Sequence, residues 1–413
     1  MKLKSLLAVV AGAAFAVCAS AADEWFVDDD NYGKVGMDGK SELSAFGTIQ
    51  EAINKTKAGD TVTVLPGTYD RDPVPHATFG YSRVWIPRAI TLRSRDGAAA
   101  THIVGAPDPE TGTCGSNACR CICAPYANIV VKGFTLRDGY SNPDQNDKGR
   151  GGILHANQRT DVYLVDCVAS NCVTRQGGLF GGVAIRCRFV RNWSNNSNGM
   201  VVGYNAWFYN CLIADNCDPG LYTIWGGRVV NCTFTGNSNG NGVAARNAGH
   251  LQLYNSIVDF GHKTYTESAS SLESANNSTN TEYSLLAPAL NDFRVCAGSV
   301  ADGGADQQWL DVIPMPPGED AYLDCNRQPI PKTGAFHMGC FQQTASAAGG
   351  RVESASAGFS FDGVKCCQTA SYAYPTVCPT QFLVKAELKE GRRDAFRRSP
   401  PQRHRDWLFK PSR

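Results

Sequence analysis

Past its first stretch, this 413-residue chain has no long apolar run. Nothing after residue 21 approaches the roughly 20 consecutive apolar residues of a membrane-spanning helix, so the mature chain is expected to be soluble, with no transmembrane segment. Charge of one sign is missing too: the formal net charge is +1. Between Lys385 and Arg413, ten Lys/Arg stand against four Asp/Glu, a net +6. Removing that tail and the two lysines of the first stretch leaves a body near −7 (1 − 6 − 2), which excludes a nucleic-acid-binding body. Long helix-forming runs are scarce, and with 42 glycines and many Asn and Ser this favours a repeat array over two or three ordinary domains.

What is present starts at residue 1. "MKLKSLLAVVAGAAFAVCASA" has a short basic head (Lys2, Lys4), an apolar run from Leu6 to Val17 and Ala19-Ser20-Ala21 as a cleavage site. It reads as a secretory signal peptide over 1–21, which implies export and a secreted or cell-surface location. Val17 is too large to precede a lipidated Cys18. Export permits disulfides among the other 16 of the 17 cysteines without demanding them.

Those cysteines recur. "VYLVDCVASNC", "VAIRCRFVRNW", "AWFYNCLIADNC", "GRVVNCTFTGNS" and "LQLYNSIVDFG" are centred on Cys167, Cys187, Cys211, Cys232 and Ser256, at spacings of 20, 24, 21 and 24 residues. Each segment alternates like a strand, an Asn follows four or five positions on in the first four (Asn171, Asn192, Asn216, Asn237), and Gly/Asn-rich turns separate them. A period in the low twenties with β-alternation marks a β-solenoid, one coil per repeat. The coil is expected from about residue 60 to 290, with an excursion at 139–152 and a polar insertion at 262–280. The end of such a stack needs a lid. "TIQEAINKTKAGD" supplies one: Thr48 and Glu51 form a capping box, Ile49, Ala52 and Ile53 an apolar stripe, and Gly59 a stop, giving an amphipathic helix over 48–58. The expected order is signal peptide 1–21, cap region 22–59, β-helix with closing segment 60–343, and a poorly patterned, disordered basic tail 344–413.

"FVDDDNYGKVGMDGKSELSAFGTIQEAINKTKAGDTVTVLPGTY", "AITLRSRDGAAATHIVGA", "GFTLRDGYS" and the N-C-x-x-x-x-N repeats resemble the pectin-lyase-like proteins of bacterial secretomes, which are right-handed parallel β-helices. "LDCNRQPIPKTGAFHMGCF" is similar to the closing segment of a largely uncharacterised branch that ends in an anchoring or sorting module. The resemblance spans about residues 25–343. It implies an all-β fold, a right-handed parallel β-helix with an N-terminal capping helix. It implies polysaccharide or a cell-surface glycan as partner, but no one activity, because the family includes lyases, hydrolases and adhesins. The motifs that mark its characterised pectate lyases and polygalacturonases are absent here.

Strand alternation places Ile185, Cys187 and Phe189, and likewise Val230, Cys232 and Phe234, on one interior face. Cys167, Cys187, Cys211 and Cys232 then form a buried, reduced ladder, since stacked side chains about 4.8 Å apart exceed disulfide geometry. Asn192, Asn216 and Asn237 are read as an amide ladder bracing the turns, with glycan binding as the other reading. "CGSNACRCIC" (Cys114, Cys119, Cys121, Cys123) reads as a loop stapled by disulfides rather than a zinc site, and Cys296, Cys325 and Cys340 are read the same way. Asp28, Asp29, Asp30 and Asp38 offer hard oxygen ligands for Ca²⁺, or a solvated Asx-rich turn.

A β-helix lyase needs a cation to neutralise a uronate and a Lys or Arg to take its proton; a hydrolase needs two spaced carboxylates. Asp166, Arg186 and Arg188, expected to face outward beside the cysteines, are the one ionic cluster there: a catalytic group or a surface salt bridge. Arg150 and Lys148 could overhang the same face, Trp207 and Phe208 could stack on sugar rings, and Asn210 and Asn231 could bind substrate. Either a polysaccharide-active β-helix or a non-catalytic adhesin or structural protein fits these residues.

Overall fold

In the computed structural model, residues 22–342 are described apart from short segments at 143–146, 195–199, 217–221, 238–242, 246–249, 259–263, 267–269, 280–283, 288–291 and 296; beyond 342 only three short strands are. The expected signal peptide, most of the tail, and Cys296, Cys367 and Cys378 therefore lie outside the described residues. No helix among them is long and apolar enough to cross a membrane.

The chain winds through three sheets in turn and adds one strand to each per coil. The first sheet has ten strands, from Glu24–Val27 to Ser271–Ala275, and the second has nine, from Gly67–Tyr69 to Ser278–Thr279. The third has nine, reaching Thr264–Thr266. Within the first two sheets every pairing is parallel, and strand order follows the chain, as in Val183–Ile185 lying between Val162–Val165 and Trp207–Tyr209. This is a parallel β-helix. The coil begins at Glu24, ahead of the cap, and within the stretch expected as an insertion Thr264–Thr266, Ser271–Ala275 and Ser278–Thr279 each add a strand to one of the three sheets. It ends where Leu285–Ala287 pairs antiparallel with Asp292–Val295.

Helix α1 (Ile49–Lys55) closes the first rung, with Thr48 and Glu51 in a reciprocal capping box and Ile49, Ala52 and Ile53 buried in the coil's core. It stops short of Gly59 because Thr56 is extended and its hydroxyl takes the Ile53 carbonyl at 2.7 Å, beside the Arg88 guanidinium at 3.1 Å.

A column of left-handed residues sets each corner between the first and second sheets: Asp166, Arg186, Asn210, Asn231 and Asn255 have φ between 48 and 54°. Such a residue reverses the phase of the alternation. Leu164, Ala184, Phe208, Val229 and Leu253 therefore face the core with Cys187, Phe189, Cys232 and Phe234. Ile185, Tyr209, Val230 and Tyr254 face outward, which corrects the sequence reading of Ile185 and Val230 as interior and of Phe208 as outward. After the corner the amide points along the axis and needs an acceptor. Cys167 N donates to Cys187 Sγ and Cys187 N to Cys211 Sγ, both at 3.4 Å, and Cys232 N to Ser256 Oγ at 3.1 Å.

Asn192, Asn216 and Asn237 do the same one corner later. Asn192 N donates to Asn216 Oδ1 and Asn216 N to Asn237 Oδ1, each at 3.0 Å, while their Nδ2 atoms donate to the Ala169, Phe189 and Ile213 carbonyls. Asn171 is not in this column: it is itself a left-handed corner (φ 55°), and Cys172 takes the inner place, its N donating to Asn192 Oδ1 at 3.1 Å.

Candidate functional site

The apolar outer half of the first sheet would be exposed if nothing covered it. The segment 306–341 covers it as a strap: Leu310, Ile313, Ile330 and Phe336 pack on Val183, Ile185, Tyr209, Val230 and Tyr254. The corner asparagines hold the strap by its backbone. Asn255 exchanges two hydrogen bonds with Asp306, at 2.8 and 2.9 Å, and Asn210 Nδ2 donates to the Ala321 and Leu323 carbonyls at 3.2 and 2.9 Å. Asn231 Nδ2 donates to Asn210 Oδ1 at 2.8 Å, and both residues are fully buried. Asn210 and Asn231 thus face the strap and not solvent.

The ionic cluster lies under the same strap. The Arg186 side chain is 0% exposed; its Nε donates to Asp166 Oδ1 at 2.7 Å and its Nη1 to the Asp320 carbonyl at 2.9 Å, and it pairs with Glu319. Arg327 reaches Asp166 at 2.5 Å and Lys132 pairs with Glu319. Burial alone would lower the Arg186 pKa, but Asp166 and Glu319 together hold it above its ordinary value. Arg188 donates to Asn326 Oδ1 at 2.5 Å. Asp166 and Arg186 are brought together as expected from neighbouring rungs, but as a sealed clamp rather than an outward groove.

Arg150 and Lys148 do not overhang this face. Arg150 sits over Phe180 and Tyr204 of the third sheet, 4.7 and 6.0 Å from the ring centroids, and the Lys148 carbonyl accepts from Arg120 at 2.8 Å. There His155, fully buried between Phe79 and Phe180 at 4.8 and 5.0 Å, is pushed down to about 2 by burial.

The carboxylates of Asp28, Asp29 and Asp30 lie within 4.8 Å of one another, while Asp38 binds Ser44 Oγ at 2.6 Å and stands outside the trio. Asp28 already accepts from Asp30 N at 3.1 Å and Asp29 from Thr68 N at 2.8 Å, so two of the three serve the local backbone. The described cysteines are free and buried. The stapled loop expected at "CGSNACRCIC" is not formed: Cys119–Cys123 is a fully buried strand of the third sheet. Burial raises the thiol pKa of Cys167, Cys187 and Cys211 well above the ordinary range.

One column of the first sheet runs out from under the strap: Val183 is covered, Trp207, Arg228 and Gln252 are half-buried, and Glu273 is exposed. Three residues before each corner, Tyr163, Val183, Trp207, Arg228, Gln252 and Glu273 stand in register on successive rungs. The Arg228 guanidinium lies 4.8 Å over the Trp207 ring and donates to Gln252 Oε1 at 2.5 Å; Gln252 Nε2 donates to Glu273 Oε2 at 3.0 Å. His250 stands 3.6 Å from Glu273, both side chains about half exposed at 52 and 53%. The neighbouring Tyr254 stacks on Trp309 of the strap, ring centroids 3.6 Å apart. Burial and then Glu273 raise the Tyr254 hydroxyl to about 12, and the same contact, with Gln252 and His250, lowers Glu273. Of the sequence candidates only Trp207 belongs to this column. Arg228, Gln252 and Glu273 could have been found by counting three back from Asn231, Asn255 and Asn276.

Trp207, Arg228, Gln252, Glu273 and His250 offer an aromatic face, donors and acceptors at intervals of about 4.8 Å. Fold and column together define a parallel β-helix with a linear polar face. No protein-family model and no curated protein matches the chain. Among solved structures it is similar to a rhamnogalacturonan lyase (12% identity, 64% of this chain and 91% of that one, TM-score 0.37). It is also similar to pectin methylesterase PemA from Erwinia chrysanthemi (12% identity, 64% of this chain and 92% of that one, TM-score 0.35). A third likeness is to pectate lyase Pel9A (12% identity, 78% and 97%, TM-score 0.35). The fold is read from the register of the three sheets and not from these likenesses.

Proposed function

We propose that this protein is an exported β-helix that grips polysaccharide along the column from Trp207 to Glu273 and His250, without cleaving it at the Asp166 cluster. The observation that carries the reading is the column itself. Its side chains pair with each other along the helix axis and stay half-buried (Trp207, Arg228, Gln252) or exposed (Glu273), so a glycan can lie against Trp207 and Arg228 and exchange hydroxyl hydrogen bonds with Arg228, Gln252 and Glu273. The column holds one carboxylate, short of the pair a hydrolase needs. Arg186, the cation proposed for proton abstraction, is enclosed by Glu319 and Asp320.

The test is retention of the full-length protein on a panel of immobilised polysaccharides, with and without Ca²⁺, alongside assays for new reducing ends and unsaturated products. Binding to at least one glycan is expected, with Trp207→Ala and Arg228→Ala each weakening it by about tenfold or more. Unchanged binding in both variants, or no binding to any glycan, removes the proposal; released products would replace grip with cleavage.

A further inference from the structure

The strap returns to the coil at two cysteines. Cys325 N donates to the Cys340 carbonyl at 2.9 Å, so the two backbones run side by side. Both side chains lie in one small buried cluster with Leu212, Ala214 and Phe341. Cys325 Sγ also reaches the Cys187 carbonyl at 3.8 Å, and Cys340 N donates to Thr233 Oγ1 at 3.1 Å. The pair therefore sits where the strap is pinned onto the rungs of Cys187 and Cys232.

We propose that Cys325 and Cys340 are a covalent clasp, joined as a cystine when the protein meets a small-molecule disulfide or a thiol-oxidising enzyme. Cys325 is the less buried residue of the two, 8% exposed against 0% for Cys340, and is taken as the attacking thiol. The neighbouring Cys340 side chain and then the nearby Arg188 guanidinium lower its pKa and favour the thiolate. Cys325 loses its proton to solvent and its thiolate attacks the oxidant disulfide, releasing one thiol and leaving a mixed disulfide. Cys340 then loses its proton, attacks the Cys325 sulfur and expels the second thiol. Two electrons pass to the oxidant, one disulfide is consumed and one is made. The clasp closes the turn between the two residues, so the unpinned strap loses chain freedom.

The experiment uses the full chain exported into an oxidising compartment, alkylated before any reduction, then digested and mapped by mass spectrometry. Peptides carrying Cys325 and Cys340 are expected as one species, two hydrogens lighter than their sum. Separately alkylated peptides overturn the clasp, and so does a cystine joining Cys340 to Cys232. A second measurement needs no variant to fold. Reductant should speed amide exchange of the wild-type strap by about 100-fold, as expected for opening a loop of this size. Equal exchange with and without reductant overturns it as well.

Discussion

Replacing Arg186 by Met tests whether the Asp166 cluster is a clamp. The guanidinium is wholly enclosed and serves Asp166, Glu319 and the Asp320 carbonyl at once. Met preserves much of the stem and removes the charge. Glu319, only 6% exposed, is left with Lys132 and a longer approach from Arg327 at 3.8 Å, and the Asp320 carbonyl loses its donor. Breaking one partner of a buried pair costs about 3–5 kcal/mol. The loss should appear first as release of the strap rather than as melting of the coil. The assay is amide exchange at Asp306, Cys325, Gly339 and Cys340, whose amides bond to Asn255, Cys340, Asn255 and Thr233, read with Trp309 fluorescence. Exchange should speed by about 100-fold or more, and Trp309 should leave Tyr254. Because an apolar replacement of a whole buried pair is often neutral, Arg186→Met with Glu319→Met should recover much of the loss. If the single variant loses less than about 1 kcal/mol, or strap exchange is unchanged, the clamp reading is wrong.

The buried imidazole gives a pH prediction. His155 is held neutral in the fold, down to about 2 from 6.5, so below 6.5 the unfolded chain takes a proton the folded chain refuses. Its contribution is level above 6.5 and falls by about 1.4 kcal/mol per unit beneath it, about 2 kcal/mol by pH 5. His155→Phe should flatten that part of a denaturation-versus-pH curve, and an unaltered slope would refute the assignment. In the amide column, Asn216→Ala strips acceptors from Asn192 N and a donor from the Phe189 carbonyl, all buried. It should cost about 3 kcal/mol by denaturant titration; a loss below about 1 kcal/mol would mean the column is ornamental to stability.

Repeat and cap were legible because both are local. The cysteine spacing reports one coil per repeat, and Thr48 and Glu51 sit close enough in sequence to announce the helix start. The corner was not legible, since Asp166, Arg186 and Asn210 share a left-handed φ that their identities do not share. Counting alternation straight through that corner put Ile185 inside and turned attention to the columns the strap covers. The strap itself could not be read: Arg186 meets Glu319 and Asp320 at separations of 133 and 134 residues, and no local pattern pairs them. Trp207 was picked as an outward ring, but its neighbours Arg228, Gln252 and Glu273 are polar in different ways and do not look like a repeat until the corner is fixed.

The strap also changes how this coil can come apart. A solenoid whose rungs touch only their neighbours frays from an end, one rung at a time. Here one segment is tied at Asn255, at Asp166 and Arg186, and again at Thr233, so it runs up the side of the stack and back. Pulled from its C-terminal end, the molecule should yield in one large step instead of a series of small ones, behaving less like a zipper than like a bundle with a cord around it.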